Sequence, residues 1–139
     1  MTGKQDRARV KKSRPPLDDE ALQALALRYV GKYATTRAKL ATYLRRKIKE
    51  RGWASEGPPH IDGLAEKLGA QGYIDDAGYA LMKSRSLTGR GYGAGRVRQS
   101  LRAAGIADED RGQALDLAQQ QSVEAALHFA KRRRLGPFA

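Results

Sequence analysis

Residues 84–105 read SRSLTGRGYGAGRVRQSLRAAG, and these residue types allow three chemistries. Glycines alternate at Gly89, Gly91, Gly93 and Gly95, and arginines stand at Arg85, Arg90, Arg96, Arg98 and Arg102. Such a stretch could cradle a phosphate on backbone amides, clamp a polyanion with guanidinium groups, or only turn the chain into a basic helix. The spacing argues against the first. A P-loop needs GxxxxGK[ST], which is absent. Gly89, Gly91 and Ala94 fit GxGxx[GA]. A dinucleotide fold, however, places an apolar strand before that loop, and MKSRSLTGR is not one. The glycines never fall three apart, as the GXXG loop of a KH domain requires.

No other constellation points to catalysis. His60 and His128 are isolated from each other and from nucleophiles. The acidic pairs at Asp18-Asp19 and Asp75-Asp76, and the acids of residues 108–110, each precede a helical pattern. Capping of the helix and its positive dipole end explains them without a metal. There is no cysteine, which removes disulfides, thiolate metal sites and cysteine nucleophiles. No cofactor, no metal and no enzymatic activity are expected. Tyr29, Tyr73, Tyr79 and Tyr92 read as packing residues rather than base-stacking platforms.

The elements that must position these charges are helical. The 139 residues are 40% hydrophobic but only 6% aromatic, so an aliphatic core of modest size is expected. The net charge of +12 suits a polyanionic or acidic partner. No apolar run approaches the roughly 18 residues of a membrane span, and residues 1–16 lack the apolar centre of a secretory signal. A soluble, cytoplasmic protein without membrane contact follows as the expectation. Residues 1–17 hold six Lys or Arg and read as a disordered basic tail.

The next 57 residues, 18–74, read as a three-helix repeat. Leu22, Leu25, Ala26, Tyr29 and Val30 form the buried stripe of a first helix capped by Asp18 or Asp19. Leu40, Leu44 and Ile48 form that of a second, capped by Thr35 or Thr36 and ended by Gly52. Around this stripe stand Arg37, Lys39, Arg45, Arg46, Lys47, Lys49 and Arg51, against the single acid Glu50. A solvated face usually mixes signs to form i,i+4 pairs, so this one is expected to face something anionic. Ile61, Leu64, Ala65 and Leu68 mark a third helix after the linker ASEGPP.

The pattern then starts again. Val97 and Leu101 repeat Leu40 and Leu44 at a constant offset of 57, and Lys83, Arg85, Arg90, Arg96, Arg98 and Arg102 occupy residues 83–102 without one acid. Residues 75–121 therefore read as a second three-helix repeat, and 122–139 as the first helix of an incomplete third, leaving Phe129 and Leu135 short of partners. No run alternates with period two, so the fold class is all-α.

Three segments together resemble one family, the RecX regulators of bacterial RecA recombinase. ALRYVGKYATTRAKLATYLRRKIKERGW (26–53) resembles its opening pair of helices. LAEKLGAQGYIDDAGYA (64–80) is similar to its LxxLxxxGYLDDxxFA segment, and SRSLTGRGYGAGRVRQSLRAAGI (84–106) to its SRxxxxxYGPxRIRxELxxxGI segment. Ala94 departs from that pattern, where proline is usual. The resemblance implies tandem three-helix repeats in an elongated, curved molecule; a monomer is expected. It implies lodging in the groove of the RecA–DNA filament, limiting its growth or promoting its disassembly, with lower recombinase and SOS coprotease activity. Arg37, Lys39, Arg45, Arg46, Lys49, Arg85, Arg90, Arg96, Arg98 and Arg102 are then the candidates to contact RecA and the single-stranded or duplex DNA of the filament. The alternative is a stand-alone DNA-binding protein of helix-turn-helix type, with RVRQSLRAAG as recognition helix. Gln99 and Ser100 would be its only neutral polar base readers.

Overall fold

The computed structural model describes residues 14–135. Among them six helices form: α1 (Asp19–Lys32), α2 (Arg37–Arg51), α3 (Ile61–Ala70), α4 (Asp76–Gly89), α5 (Ala94–Ala103) and α6 (Asp108–Leu135). The fold is all-α, and the chain divides into two compact units between Ile74 and Asp75.

In the first unit, each of the first two helices starts where a side chain replaces a missing backbone acceptor. The Asp18 carboxylate accepts from the Ala21 N–H at 2.8 Å, and the Thr36 hydroxyl from the Lys39 N–H at 3.1 Å. Gly52 ends α2 at φ +90°, a conformation open to glycine at little steric cost. Leu22, Ala26, Leu40, Ala41, Leu44, Ile61, Ala65, Leu68 and Ile74 bury their side chains between α1, α2, α3 and the turn that follows. The apolar stripes expected from the periodicity thus converge on one core.

One side chain reaches that core from outside any helix. Leu17 is fully buried. Its N–H donates to the Gly52 carbonyl at 2.9 Å, and its carbonyl accepts from the Ala54 N–H at 2.9 Å, forming a short parallel bridge to Trp53. The Arg51 guanidinium holds the Pro15 carbonyl through Nη2 at 3.0 Å. The segment before α1 is therefore tied down at its end, where a tail was expected to run to residue 17. A lone leucine has no period to reveal it, yet it is part of the core of the first unit. Residues 1–13 lie outside the described residues. The expected linker is also fixed: Trp53 Nε1 donates to the Gly57 carbonyl at 2.8 Å, and the Asp19 N–H donates to Ser55 Oγ at 3.0 Å.

In the second unit, Ala80, Leu87, Val97, Leu101, Ala104, Ile106, Ala114 and Ala118 form the core. The α4–α6 contact is lined by small residues, Ala80 and Ser84 facing Ala114 and Ala118, so the two helices approach closely. The buried Ser84 hydroxyl donates to the Ala114 carbonyl at 2.7 Å. α5 starts 57 residues after α2, as the repeat requires, but has 10 residues where α2 has 15. Its cap is Gly93, which offers no side-chain oxygen where the first copy has Thr36.

The expected break near residue 121 does not occur. α6 is one helix of 28 residues through the sequence QQQSVE, which contains neither glycine nor proline to stop it. Ser122 resembles a helix cap only when read as a start. After Ala118 no described residue of α6 is buried, and Phe129 is 59% exposed. The side chain of Leu135 lies outside the described residues.

Truncating Leu17 to alanine should cost the first unit about 2–5 kcal/mol, the usual range for a buried leucine. Urea unfolding followed by Trp53 fluorescence measures it, since the indole sits beside the bridge that Leu17 makes.

Candidate nucleic-acid and filament interface

The two units treat their cations differently. In the first, acids from the third helix reach across to the second. Arg45 Nη2 meets Asp62 Oδ1 at 2.9 Å, and Arg37 Nη1 lies 3.7 Å from Glu66 Oε2. Within α2, Arg46 and Lys47 share Glu50 at 4.0 and 3.6 Å, and both stand over the Tyr43 ring. The count of seven cations against the one acid Glu50 runs along a single helix; in the fold Asp62 and Glu66 arrive from another and engage Arg45 and Arg37. Lys39 and Lys49 project from α2 as exposed residues.

The half-buried Arg37 side chain also rests against Gly69 of α3, where a Cβ would overlap its guanidinium. Gly69 was the available signal in the sequence, because glycine inside a helical pattern costs about 1 kcal/mol relative to alanine and calls for a packing reason.

In the second unit, Arg85, Arg90, Arg96, Arg98 and Arg102 are all exposed, and none forms an ion pair among the described residues. Arg85 rides on α4, Arg90 caps its end, and the other three ride on α5. Val97 and Leu101 turn one side of α5 into the core. The helical repeat then puts Arg98 and Arg102 together on one flank and Arg96 on the other. The glycine run is a turn. Gly91 alone of its four glycines takes a positive φ, +91°, while Gly89 ends α4 and Gly95 lies within α5. The N–H groups of Arg90 and Tyr92 both donate to the Leu87 carbonyl, at 3.1 and 3.0 Å, and that of Gly91 to the Thr88 carbonyl at 3.0 Å.

The tyrosines divide. Tyr29 and Tyr79 pack against the cores, as expected. Tyr73 and Tyr92 are exposed, at 56% and 40%, so the packing reading is corrected for these two. Each falls in a turn, where helical periodicity carries no information about burial. Tyr92 draws two of the candidate arginines together, with the Arg90 and Arg96 guanidinium carbons 5.4 and 5.2 Å from its ring centroid.

Residues 75–115, which include this whole arginine-bearing segment, match the family model described as RecX, second three-helix domain. The chain is 32% identical over 124 residues to the regulatory protein RecX of Myxococcus xanthus, covering 84% of this chain and 66% of that protein. It belongs to the RecX family. The regulatory protein RecX of Halorhodospira halophila is 31% identical over 114 residues, covering 82% of this chain and again 66% of the relative. This RecX-family chain therefore spans about two thirds of the length of the curated relatives it matches. No solved structure gives a match. Among the described residues no group of three or more His, Cys, Asp or Glu is placed to hold a metal, and no helix is long and apolar enough to cross a membrane.

The contact of Arg37 with Gly69 gives a test by comparison. Gly69→Ala should gain less than the roughly 1 kcal/mol helix preference of alanine, because the partly exposed guanidinium must swing aside to admit the Cβ. In an Arg37→Ala background the same substitution should stabilise by up to about 1 kcal/mol, the helix preference of alanine. Chemical denaturation of the four proteins of the cycle reads both values.

Proposed function

We propose that this RecX-family chain is a non-enzymatic, mainly negative modulator of RecA recombinase. It binds in the groove of the RecA–DNA filament and limits filament growth or promotes disassembly, lowering recombination and coprotease activity. The observation that carries the reading is the set of exposed arginines of the second unit that form no ion pair among the described residues, all within the family-matched segment. Exposed guanidinium groups without internal counter-ions repel one another and gain from a polyanion. Each phosphate they neutralise releases condensed counter-ions. In the first unit internal ion pairs already engage Arg37, Arg45 and Arg46, so these contribute less, and Lys39 and Lys49 add exposed charge on α2.

Residue roles follow from this distribution. Arg98 and Arg102 present one flank of α5 to phosphate or acidic recombinase surface. Arg85 extends the charge onto α4. The aliphatic core residues hold the helices, and Gly91 reverses the chain so that α5 leaves α4 with its arginines outward.

Binding of the purified chain to bare single strands, bare duplex and nucleotide-bound RecA filaments at physiological salt tests the reading. Preference for the filament is expected; equal or better binding to bare duplex would sink it. Reversing charge at Arg98 and Arg102 together should abolish filament inhibition while the helical circular dichroism is kept. The slope of log affinity against log salt should flatten by about 0.7–0.9 for each phosphate that the altered protein no longer neutralises.

A further inference from the structure

The turn between α4 and α5 carries an exposed aromatic ring with two guanidinium groups held over it. Tyr92 has no aromatic neighbour among the described residues, unlike Tyr33 of the first unit, whose ring lies 5.2 Å from Tyr29. Its backbone is held by the hydrogen bond from its N–H to the Leu87 carbonyl, so the ring projects from a held turn. Arg90 and Arg96 stand 5.4 and 5.2 Å from the ring centroid, within cation–π range. Neither arginine forms an ion pair among the described residues.

From this geometry we infer that Tyr92, Arg90 and Arg96 form a stacking site for one unstacked base of single-stranded DNA. The ring and the planar guanidinium groups receive the base, and the guanidinium N–H groups reach its flanking phosphates. A carboxylate would satisfy the arginines and leave the tyrosine face unused. A duplex offers phosphates but keeps its base faces within the stack. Only a single strand offers a free base face and a phosphate within one nucleotide. Stacking on an aromatic side chain is tolerant of sequence, because every base has a π face. The site therefore reads strandedness rather than sequence. The inference deepens the filament reading by naming which DNA the second unit touches, and it rests on that reading only for its biological setting.

The test uses the full chain without recombinase. Fluorescence anisotropy compares a labelled oligo-dT, the same backbone with abasic sites, and a duplex of equal length. Oligo-dT is expected to bind tighter than the abasic strand by about five-fold or more, the effect of one stacked base. Tyr92→Leu should erase that ratio and leave duplex binding unchanged, and Tyr92→Phe should keep it. In the unaltered protein, irradiation of 5-iodouracil placed in the oligonucleotide should crosslink Tyr92, identified by mass spectrometry. A ratio that survives Tyr92→Leu, or a crosslink that maps elsewhere, overturns the site. An oligo-rU bound tighter than oligo-dT overturns the assignment to DNA. Because no RecA is present, a positive result stands even if the filament reading fails. A negative one leaves the filament reading on Arg98 and Arg102.

Discussion

The closeness of α4 to α6 governs the second unit. Ala80, Ser84, Ala114 and Ala118 present almost no side-chain bulk, and the fully buried Ser84 hydroxyl bonds the Ala114 carbonyl. A buried hydroxyl without a partner would cost about 1–3 kcal/mol, so this bond fixes the register of the two helices as well as their distance. With that pair set, α5 can close the unit with only Val97 and Leu101. Everything else on α5 is left largely to solvent, and three of those residues are arginines. A tight, small-residue core and an exposed basic surface are thus two results of the same packing.

The contrast between the units has an electrostatic basis. Salt bridges at exposed positions contribute little stability, about 0–1 kcal/mol each. Their larger effect here is on availability. Arg45 and Arg37 lean toward Asp62 and Glu66 and are partly engaged, whereas the arginines of α5 and the end of α4 pair with no acid of their own unit among the described residues. Two copies of one architecture have diverged in what they leave unpaired. The shorter α5 fits the same difference, as the second copy has a glycine cap in place of a hydroxyl cap.

Much of the fold was legible in the order of residues because helix periodicity is a local property. Leu22 and Ala26, Leu40 and Leu44, and Val97 and Leu101 are all buried as their spacing indicates. The caps at Asp18, Thr36 and Asp75 likewise follow from a residue type beside a pattern. What escaped were single residues acting across the fold. Leu17 has no periodic companions, Gly69 signals a packing neighbour without saying which, and Tyr92 sits in a turn. The boundary near residue 121 escaped for another reason: a serine before an apolar pattern marks a start only if the preceding helix stops.

The sequence by itself determined the helices, their repetition, the family and the sign of the charge, because each depends on residue types at short separations. Tertiary structure decided which of the candidate arginines meet an acid among the described residues. That depends on where Asp62 and Glu66 come to rest, 17 and more residues from the arginines they meet. It also turned a glycine-rich string into a pinned turn, with Tyr92 between Arg90 and Arg96. Coulomb attraction and stacking act through space over a few ångströms, and only the folded chain sets those distances.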